Sequence, residues 1–182
     1  MIATDLDGVI LNVYPALREG LLFHYGYDIY PTEQHKIEVP GIKRNDVVGC
    51  IRGILERFTP HMHPYPETNQ ALECIHKLTD EPIVIITARD VSLYDVTMEW
   101  CMSNLTVPVK LYCHPTKLEL LCELDILCWV DDRLREANRM CDHMMDTFLI
   151  NRSWNMGRQV KPRVTRVESL LGVVPYLSGR LC

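Results

Sequence analysis

Five short apolar segments constrain the fold of this 182-residue chain more than any other feature of its sequence. They are apolar without interruption, whereas a half-exposed strand would alternate apolar and polar residues. That pattern is typical of strands buried on both faces of a parallel sheet. The predicted strands are residues 1–5, 82–87, 109–113, 125–130 and 147–151, of which 82–87 is the clearest because it is β-branched as well as apolar.

The residues between these segments carry apolar side chains at helical spacing. Strand and helix alternate along the chain, which favours right-handed crossovers. The sequence therefore predicts an α/β fold, a doubly wound (Rossmann-like) parallel sheet of about five strands. The predicted helices are residues 67–78, 91–104, 117–124 and 133–144.

The connection that follows the first strand is far longer than an ordinary loop. It contains apolar residues of its own, with helical patterns at 17–25 and 46–58 and an irregular stretch at 28–39 between them. This composition predicts an inserted helical cap. The predicted domains are a core formed by residues 1–11 and 67–182 and a cap formed by residues 12–66.

Composition narrows the class of protein. Hydrophobic residues make up 47% of the chain, and no apolar run approaches the roughly 20 residues that span a bilayer. Asp5 and Asp7 lie where a signal peptide would need an apolar segment, so we expect a cytoplasmic protein. The net charge of −5 comes with only a modest basic cluster near the C-terminus, which consists of Arg152, Arg158, Lys161, Arg163 and Arg166. We therefore expect a small substrate, no membrane and no extended nucleic-acid surface, while a homodimer stays open.

The eight cysteines include no Cys-x-x-Cys pair, and most have apolar neighbours in the sequence. We expect small buried hydrophobic side chains in a reducing compartment rather than a zinc site. His61 and His63 stand two residues apart between prolines, which is more typical of a linker than of a metal site. The cysteines are Cys50, Cys74, Cys101, Cys113, Cys122, Cys128, Cys141 and Cys182.

Polar residues follow four of the predicted strands, and ligands bind beyond the carboxyl ends of such strands. Asp5 ends the first predicted strand and Asp7 follows it, while Asp131 and Asp132 follow the fourth. Each pair alone is also typical of a turn or a helix N-cap. Together they predict four carboxylates in one small volume, which cannot all stay ionised without a counter-charge. Mg²⁺, which prefers oxygen ligands, and the side chain of Lys117 would supply that charge.

The run Asp5-x-Asp7-Gly-Val, then Thr87, Lys117 and Val130-Asp131-Asp132, resembles in order the four signature motifs of the haloacid dehalogenase (HAD) superfamily. The position of the insertion resembles the C1-type cap of that superfamily. The resemblance implies that Asp5 attacks phosphorus to form an aspartyl-phosphate and that Asp7 acts as general acid and then base.

The same resemblance implies roles for the remaining motif residues. Thr87 and Lys117 would hold the phosphoryl oxygens. Asp5, the backbone carbonyl of Asp7 and Asp131 would hold Mg²⁺, with Asp132 bound to the metal directly or through water. In that superfamily, phosphatases and phosphomutases keep an acid at the position of Asp7, whereas ion pumps have threonine there and phosphonatases typically have alanine. The resemblance therefore does not favour dehalogenation, ion pumping or phosphonate cleavage.

A shorter resemblance involves residues 148–155. The 5′(3′)-deoxyribonucleotidases and their bacterial and phage relatives have a similar run that ends in Pro-aromatic-Asn, where this chain has Ser153-Trp154-Asn155. The similarity implies a nucleoside 5′-monophosphatase whose substrate contacts Thr87, Ala88, Arg89, Lys117 and Trp154. Trp154 could instead be a surface aromatic at the sheet edge. The cap has no tryptophan, and its candidates for stacking on a base are Tyr14, Phe23, Tyr25, Tyr27 and Tyr30.

Two other functions stay open. One is a nucleic-acid 3′-end phosphatase, because the phosphatase domain of phage polynucleotide kinases also carries similar Asp-x-Asp-Gly and Asp-Asp-Arg runs. The other is a catalytically silent HAD-fold protein that binds a nucleotide or phosphate, although the intact motif residues do not favour it.

Overall fold

The computed structural model describes residues 1–29, 37–143 and 145–181, with side chains as far as residue 179. A six-stranded parallel sheet forms the centre of the fold, in the order β3-β2-β1-β4-β5-β6. The chain winds outward from β1 in both directions, so β1 and β4 flank the point where the winding reverses. The strands are β1 Ile2–Thr4, β2 Ile83–Thr87, β3 Val109–Cys113, β4 Cys128–Asp131, β5 Asp146–Ile150 and β6 Val164–Val167.

This architecture confirms the predicted α/β class and corrects the number of strands. All five residues of β2 are buried, as expected of a strand covered on both faces. The sixth strand, Val164–Val167, was not predicted, because it is short and its two central residues are only half-buried at the sheet edge. β4 begins at Cys128 rather than at residue 125, because Asp125 adopts a left-handed backbone with φ 51°.

Helices cover both faces of the sheet. Those predicted at 67–78, 91–104 and 117–124 are found with small shifts, and the second begins as the 3₁₀ turn Val91–Leu93. The helix predicted at 133–144 ends at Cys141, and residue 144 lies outside the described part of the chain. The C-terminal helix was not predicted. In chain order the helices are α1 Tyr14–Tyr25, α2 Arg44–Phe58, α3 Thr68–Thr79, α4 Tyr94–Asn104, α5 Lys117–Glu123, α6 Leu134–Cys141 and α7 Val174–Leu181.

The insertion after β1 contains α1 and α2, which pack against each other. A Cβ atom at Gly20 would lie 2.5 Å from Ile54 Cδ1, so glycine at this position allows the close approach of the two helices. Buried residues of the insertion share one apolar cluster with residues of the sheet. The domain boundaries at 12 and 66 stay a prediction. Of the irregular stretch predicted at 28–39, residues 30–36, and with them Tyr30, lie outside the described residues.

Two further expectations concern the chain as a whole. No helix in the described ranges combines the length and apolarity that crossing a membrane requires. None of the seven described cysteines forms a disulfide, and Cys101, Cys128 and Cys141 are buried, as expected of small apolar side chains. Cys122 is exposed, and the remaining three are half-buried. Cys182 lies outside the described residues.

Candidate active site

Three aspartates meet at the carboxyl ends of β1 and β4. Asp5 follows β1, Asp131 ends β4, and Asp132 comes next. One carboxylate oxygen from each lies within 4.8 Å of the other two, and all three residues are buried. The strand register explains the convergence, because Thr4 pairs with Val130 and the Asp5 amide donates to the Val130 carbonyl at 2.9 Å.

The turn after β1 is shaped by Gly8. Its φ of +86° lies in the left-handed region, and a Cβ atom there would stand 2.2 Å from Asp132 Oδ2. The Asp132 carboxylate therefore packs directly against the backbone of the turn that carries Asp5 and Asp7. Arg152 supports the same turn by donating from Nε to the Gly8 carbonyl at 2.8 Å.

Lys117, the first residue of α5, provides the positive charge among these acids. Its Nζ lies 2.6 Å from Asp5 Oδ2 and 3.6 Å from Asp131 Oδ2, and the side chain is 4% exposed. Burial alone would lower the pKa of Lys117, but Asp131 and Asp5 raise it above its ordinary value. The ammonium group is therefore charged at neutral pH and faces the Asp5 carboxylate.

Lys117 does not fully offset the effect of burial on these aspartates. Burial raises the pKa of Asp5 to about 6, with Lys117 opposing the shift and Asp131 adding to it. Burial, Asp131 and Asp5 raise the pKa of Asp132 well above its ordinary value. Clustered buried carboxylates with raised pKa values fit a hard divalent cation, which would stabilise their ionised forms.

Asp7 points to a different partner. Its carboxylate is held by Arg89, which donates from Nε to Oδ2 at 2.9 Å and from Nη2 to Oδ1 at 2.7 Å. Asp7 is thus not one of the three clustered carboxylates, and the predicted metal contact through its backbone carbonyl stays a prediction. Thr87 is buried at the end of β2, and its Oγ1 accepts the Arg89 amide at 3.3 Å.

Trp154 and Asn155 also hold Asp132. The Trp154 indole donates to Asp132 Oδ2 at 3.0 Å, and Asn155 Nδ2 donates to the Asp132 carbonyl at 2.7 Å. The Trp154 ring also packs against Tyr14, with centroids 4.3 Å apart. The alternative that Trp154 is a surface aromatic is wrong, because the residue is 5% exposed. Its predicted contact with substrate stays a prediction.

Two residues of the site were missed from the sequence. Arg133 donates its amide to Asp131 Oδ1 at 2.8 Å, and its buried Nε has no hydrogen-bond partner among the described residues. Asp5 and Asp131 raise the pKa of Arg133 against the effect of burial, so it is a second cation beside the aspartates. Trp129 donates from its indole to Asp131 Oδ2 at 3.1 Å. The Asp-Asp-Arg run could have indicated Arg133 as a site residue. The sequence indicates Trp129 only as a residue of a strand.

A cavity of about 400 Å³ lies between these residues and the insertion. Of the predicted base-stacking residues, Tyr14 and Tyr27 line it, whereas Tyr25 does not and Phe23 is 84% exposed. The side formed by the sheet is polar and is lined by Asp5, Asp7, Thr87, Ala88, Arg89, Asp132 and Arg133. The opposite side is lined by Val13, Tyr14, Leu17, Tyr27, Asp28, Ile29, Ile37, Glu38, Arg44, Val48, Ile51 and Leu55.

Comparison with known proteins gives information on the fold. No model of a protein family and no curated protein matches the sequence. Among solved structures, the chain is similar to a predicted phosphoglycolate phosphatase from Haemophilus somnus, with 11% identity, a TM-score of 0.66 and coverage of 97% of this chain and 96% of the other. It is also similar to CbbY from Rhodobacter sphaeroides in complex with phosphate, with 9% identity, a TM-score of 0.64 and coverage of 94% and 95%.

A third similar structure is an L-2-haloacid dehalogenase, with 15% identity, a TM-score of 0.62 and coverage of 97% of both chains. A predicted phosphatase, a phosphate-bound protein and a dehalogenase thus share this architecture. At these identities the similarity establishes a common fold, and the chemistry has to be argued from the residues of the site. The chain has the fold of the haloacid dehalogenase-superfamily hydrolases.

Proposed function

We propose that the protein is a Mg²⁺-dependent phosphomonoester hydrolase that works through an aspartyl-phosphate, and that its substrates are nucleoside 5′-monophosphates. The observation that carries this proposal is the state of the Asp5 carboxylate. It is buried beside Lys117 and two further aspartates, and it lines the cavity. An oriented carboxylate next to buried cations is what a nucleophile for a phosphate dianion needs.

In the first step, an Asp5 oxygen bonds to phosphorus while the bond from phosphorus to the leaving oxygen breaks. Asp5 is oriented for this step because the Leu6 amide donates to Oδ1 at 2.8 Å and Lys117 contacts Oδ2. Asp7 gives its proton to the leaving oxygen, which departs as an alcohol. The Thr87 hydroxyl accepts the Arg89 amide and keeps its own hydrogen for a phosphoryl oxygen.

In the second step, water attacks the phosphorus of the aspartyl-phosphate and Asp7, now a carboxylate, takes up its proton. The bond between Asp5 and phosphorus breaks, and phosphate and free Asp5 are regenerated. Asp5, Asp131 and Asp132 would hold Mg²⁺, which when bound supplies positive charge against the phosphoryl oxygens. Lys117 and Arg133 add positive charge from the protein itself.

The walls of the cavity support a nucleotide as substrate. Opposite the aspartates, most of the lining is aliphatic or aromatic, with Tyr14 and Tyr27 among the residues present. A nucleobase has two flat, weakly polar faces that suit such a wall, whereas the hydroxyl groups of a sugar phosphate would lose hydrogen bonds to water there. A cavity of about 400 Å³ also accommodates a group much larger than a two-carbon acid.

A panel of phosphomonoesters tests this proposal. We expect Mg²⁺-dependent release of phosphate from nucleoside 5′-monophosphates with kcat/KM at least about 10-fold above that for sugar phosphates and phosphoglycolate. Asp5→Asn should abolish turnover, and a chelator should abolish it reversibly. A preference for sugar phosphates would overturn the nucleotide part alone. Turnover by the Asp5→Asn variant would overturn the mechanism.

The structure does not favour the nucleic-acid 3′-end phosphatase. Three side chains of the basic C-terminal cluster make contacts within the protein. Arg152 stacks on Tyr65, Lys161 contacts Asp142, and Arg166 donates to the Asn155 carbonyl. A 3′-phosphorylated oligonucleotide compared with dTMP tests this alternative, and we expect turnover of dTMP.

A further inference from the structure

Arg89 lines the cavity, but most donors of its guanidinium group contact other residues of the protein. Two donors hold both oxygens of Asp7, at 2.9 and 2.7 Å, in the planar bidentate geometry that only arginine provides. The Arg89 side chain is 1% exposed, whereas that of Asp7 is 18% exposed. The sequence had suggested that Arg89 contacts the substrate.

The remaining contacts of Arg89 go to two threonine hydroxyls. Nη1 donates to Thr59 Oγ1 at 3.1 Å and to Thr97 Oγ1 at 3.0 Å, and both threonines are fully buried. A guanidinium carries five N–H groups, of which these contacts use four. At most one donor is left for a substrate, so Arg89 is poorly equipped to bind a phosphoryl group.

The two threonines belong to different parts of the fold. Thr59 directly follows α2 and opens the 3₁₀ turn Thr59–His61, through which the insertion returns to the sheet. Thr97 lies in α4, which packs beside the sheet. Arg89 therefore connects the turn that carries Asp7 both with α4 and with the end of the insertion.

We propose that Arg89 is a positioning residue, which orients the Asp7 carboxyl for proton transfer and makes that orientation depend on the cap through Thr59. This inference rests on the proposed phosphatase function, since it assigns a task to the general acid of that reaction. In the first step the proton moves from Asp7 to the leaving oxygen as the bond to phosphorus breaks. Arg89 takes no part in that proton transfer and only determines the position of the Asp7 carboxyl group.

The way in which kcat/KM depends on the leaving group distinguishes this role of Arg89 from substrate binding and from a purely structural ion pair. The value of kcat/KM reports the reaction as far as formation of the aspartyl-phosphate, the step in which Asp7 donates its proton. An alkoxide, such as the leaving group of a nucleoside monophosphate, needs that proton, whereas 4-nitrophenolate is weakly basic and leaves without it. A misplaced Asp7 should therefore slow only the first kind of substrate.

The test compares Arg89→Lys with the wild type on both substrates in the presence of Mg²⁺. Lysine keeps the positive charge but cannot make the bidentate hydrogen bonds to the Asp7 carboxylate. We expect kcat/KM for a nucleoside monophosphate to fall about 100-fold and that for 4-nitrophenyl phosphate to fall about 3-fold or less. The matched surface control is Arg139→Lys, which should leave both values unchanged, because Arg139 makes only a long, exposed contact with Glu136 at 3.9 Å.

Thr59→Val and Thr97→Val test the link to the cap. Each substitution removes one buried hydroxyl that accepts a hydrogen bond from Arg89 Nη1, so the two variants should lose similar thermal stability. We expect Thr59→Val to shift the selectivity between the two substrates more than Thr97→Val does. If the two variants shift the selectivity equally, the link to the cap is wrong. The comparison of Thr59→Val with Thr97→Val tests that link even if Arg89→Lys does not fold.

Other outcomes overturn the positioning role. If Arg89→Lys lowers kcat/KM equally for both substrates through a higher KM, Arg89 binds the substrate. If neither value changes, the ion pair is only structural. A wild-type protein that hydrolyses no phosphomonoester would overturn the proposed function, and the inference with it. If the wild type is active but the variants slow both substrates equally, only the inference is overturned.

Discussion

Replacement of Gly8 by alanine should damage both the stability and the site, for reasons that can be separated by a matched control. Gly8 has a φ of +86°, and a Cβ atom there would lie 2.2 Å from Asp132 Oδ2 and 2.5 Å from its Cγ. Gly26, which ends α1, has a similar φ of +64° but no atom within 4 Å of its Cβ position. Gly26→Ala therefore imposes backbone strain without the collision.

The magnitudes follow from these two effects. A left-handed backbone costs a residue with a Cβ about 1–2 kcal/mol, which applies to both variants. The collision at Gly8 adds about 1–3 kcal/mol, because an extra methyl group in a packed site forces its neighbours to move. Displacement of Asp132 would break hydrogen bonds, since its carboxylate accepts one from Trp154 and its carbonyl accepts one from Asn155. We expect Gly8→Ala to lower the free energy of unfolding by about 2–5 kcal/mol and Gly26→Ala by about 1–2 kcal/mol.

Urea unfolding measures these values, and the Mg²⁺ dependence of phosphatase activity measures the effect on the site. A displaced Asp132 should raise the half-saturating Mg²⁺ concentration about 10-fold or more in Gly8→Ala. Gly26→Ala should retain the Mg²⁺ dependence of the wild type. If the two variants lose equal stability and respond equally to Mg²⁺, the packing of Asp132 against Gly8 does not shape the site.

Three further predictions concern other residues of the chain. Lys117→Met should abolish turnover and lower the free energy of unfolding by about 3–5 kcal/mol, measured by urea unfolding, because it removes the ammonium group that contacts the buried Asp5 carboxylate. Trp154→Phe, which loses the indole donor but keeps a ring against Tyr14, should weaken Mg²⁺ activation about 10-fold in a metal titration of activity. Burial raises the pKa of Cys101 to about 12, so at pH 8 its thiolate is scarce and iodoacetamide should label exposed Cys122 first, as seen by mass spectrometry.

The aspartates of the site were accessible from the sequence because of a regular property of parallel sheets. All strands point the same way, so residues that follow different strands reach the same edge. Asp5 and Asp131 could thus be placed together although 126 positions separate them. Lys117 was placed by resemblance to a family motif, and the structure brings its Nζ within 2.6 Å of Asp5.

The elements that the sequence did not reveal have weak local signals. β6 is four residues long and only its ends are buried, so it shows neither the continuous apolar run of a central strand nor a long alternation. It becomes a strand because β5 offers an edge, along which Val164–Val167 pair in parallel with Thr147–Ile150. That opportunity exists only once the sheet has formed.

The sequence by itself determined the class of fold, the order of strand and helix, the insertion after β1 and the acidic residues at the strand ends. Each of these depends on local periodicity or on the direction of a strand, and both are encoded over a few neighbouring residues. Tertiary structure alone decided the partners of the side chains. Arg89 meets Asp7 across 82 positions and Trp154 meets Asp132 across 22, because packing sets the direction of each side chain. Those partners, rather than the motif residues alone, give each aspartate its own environment.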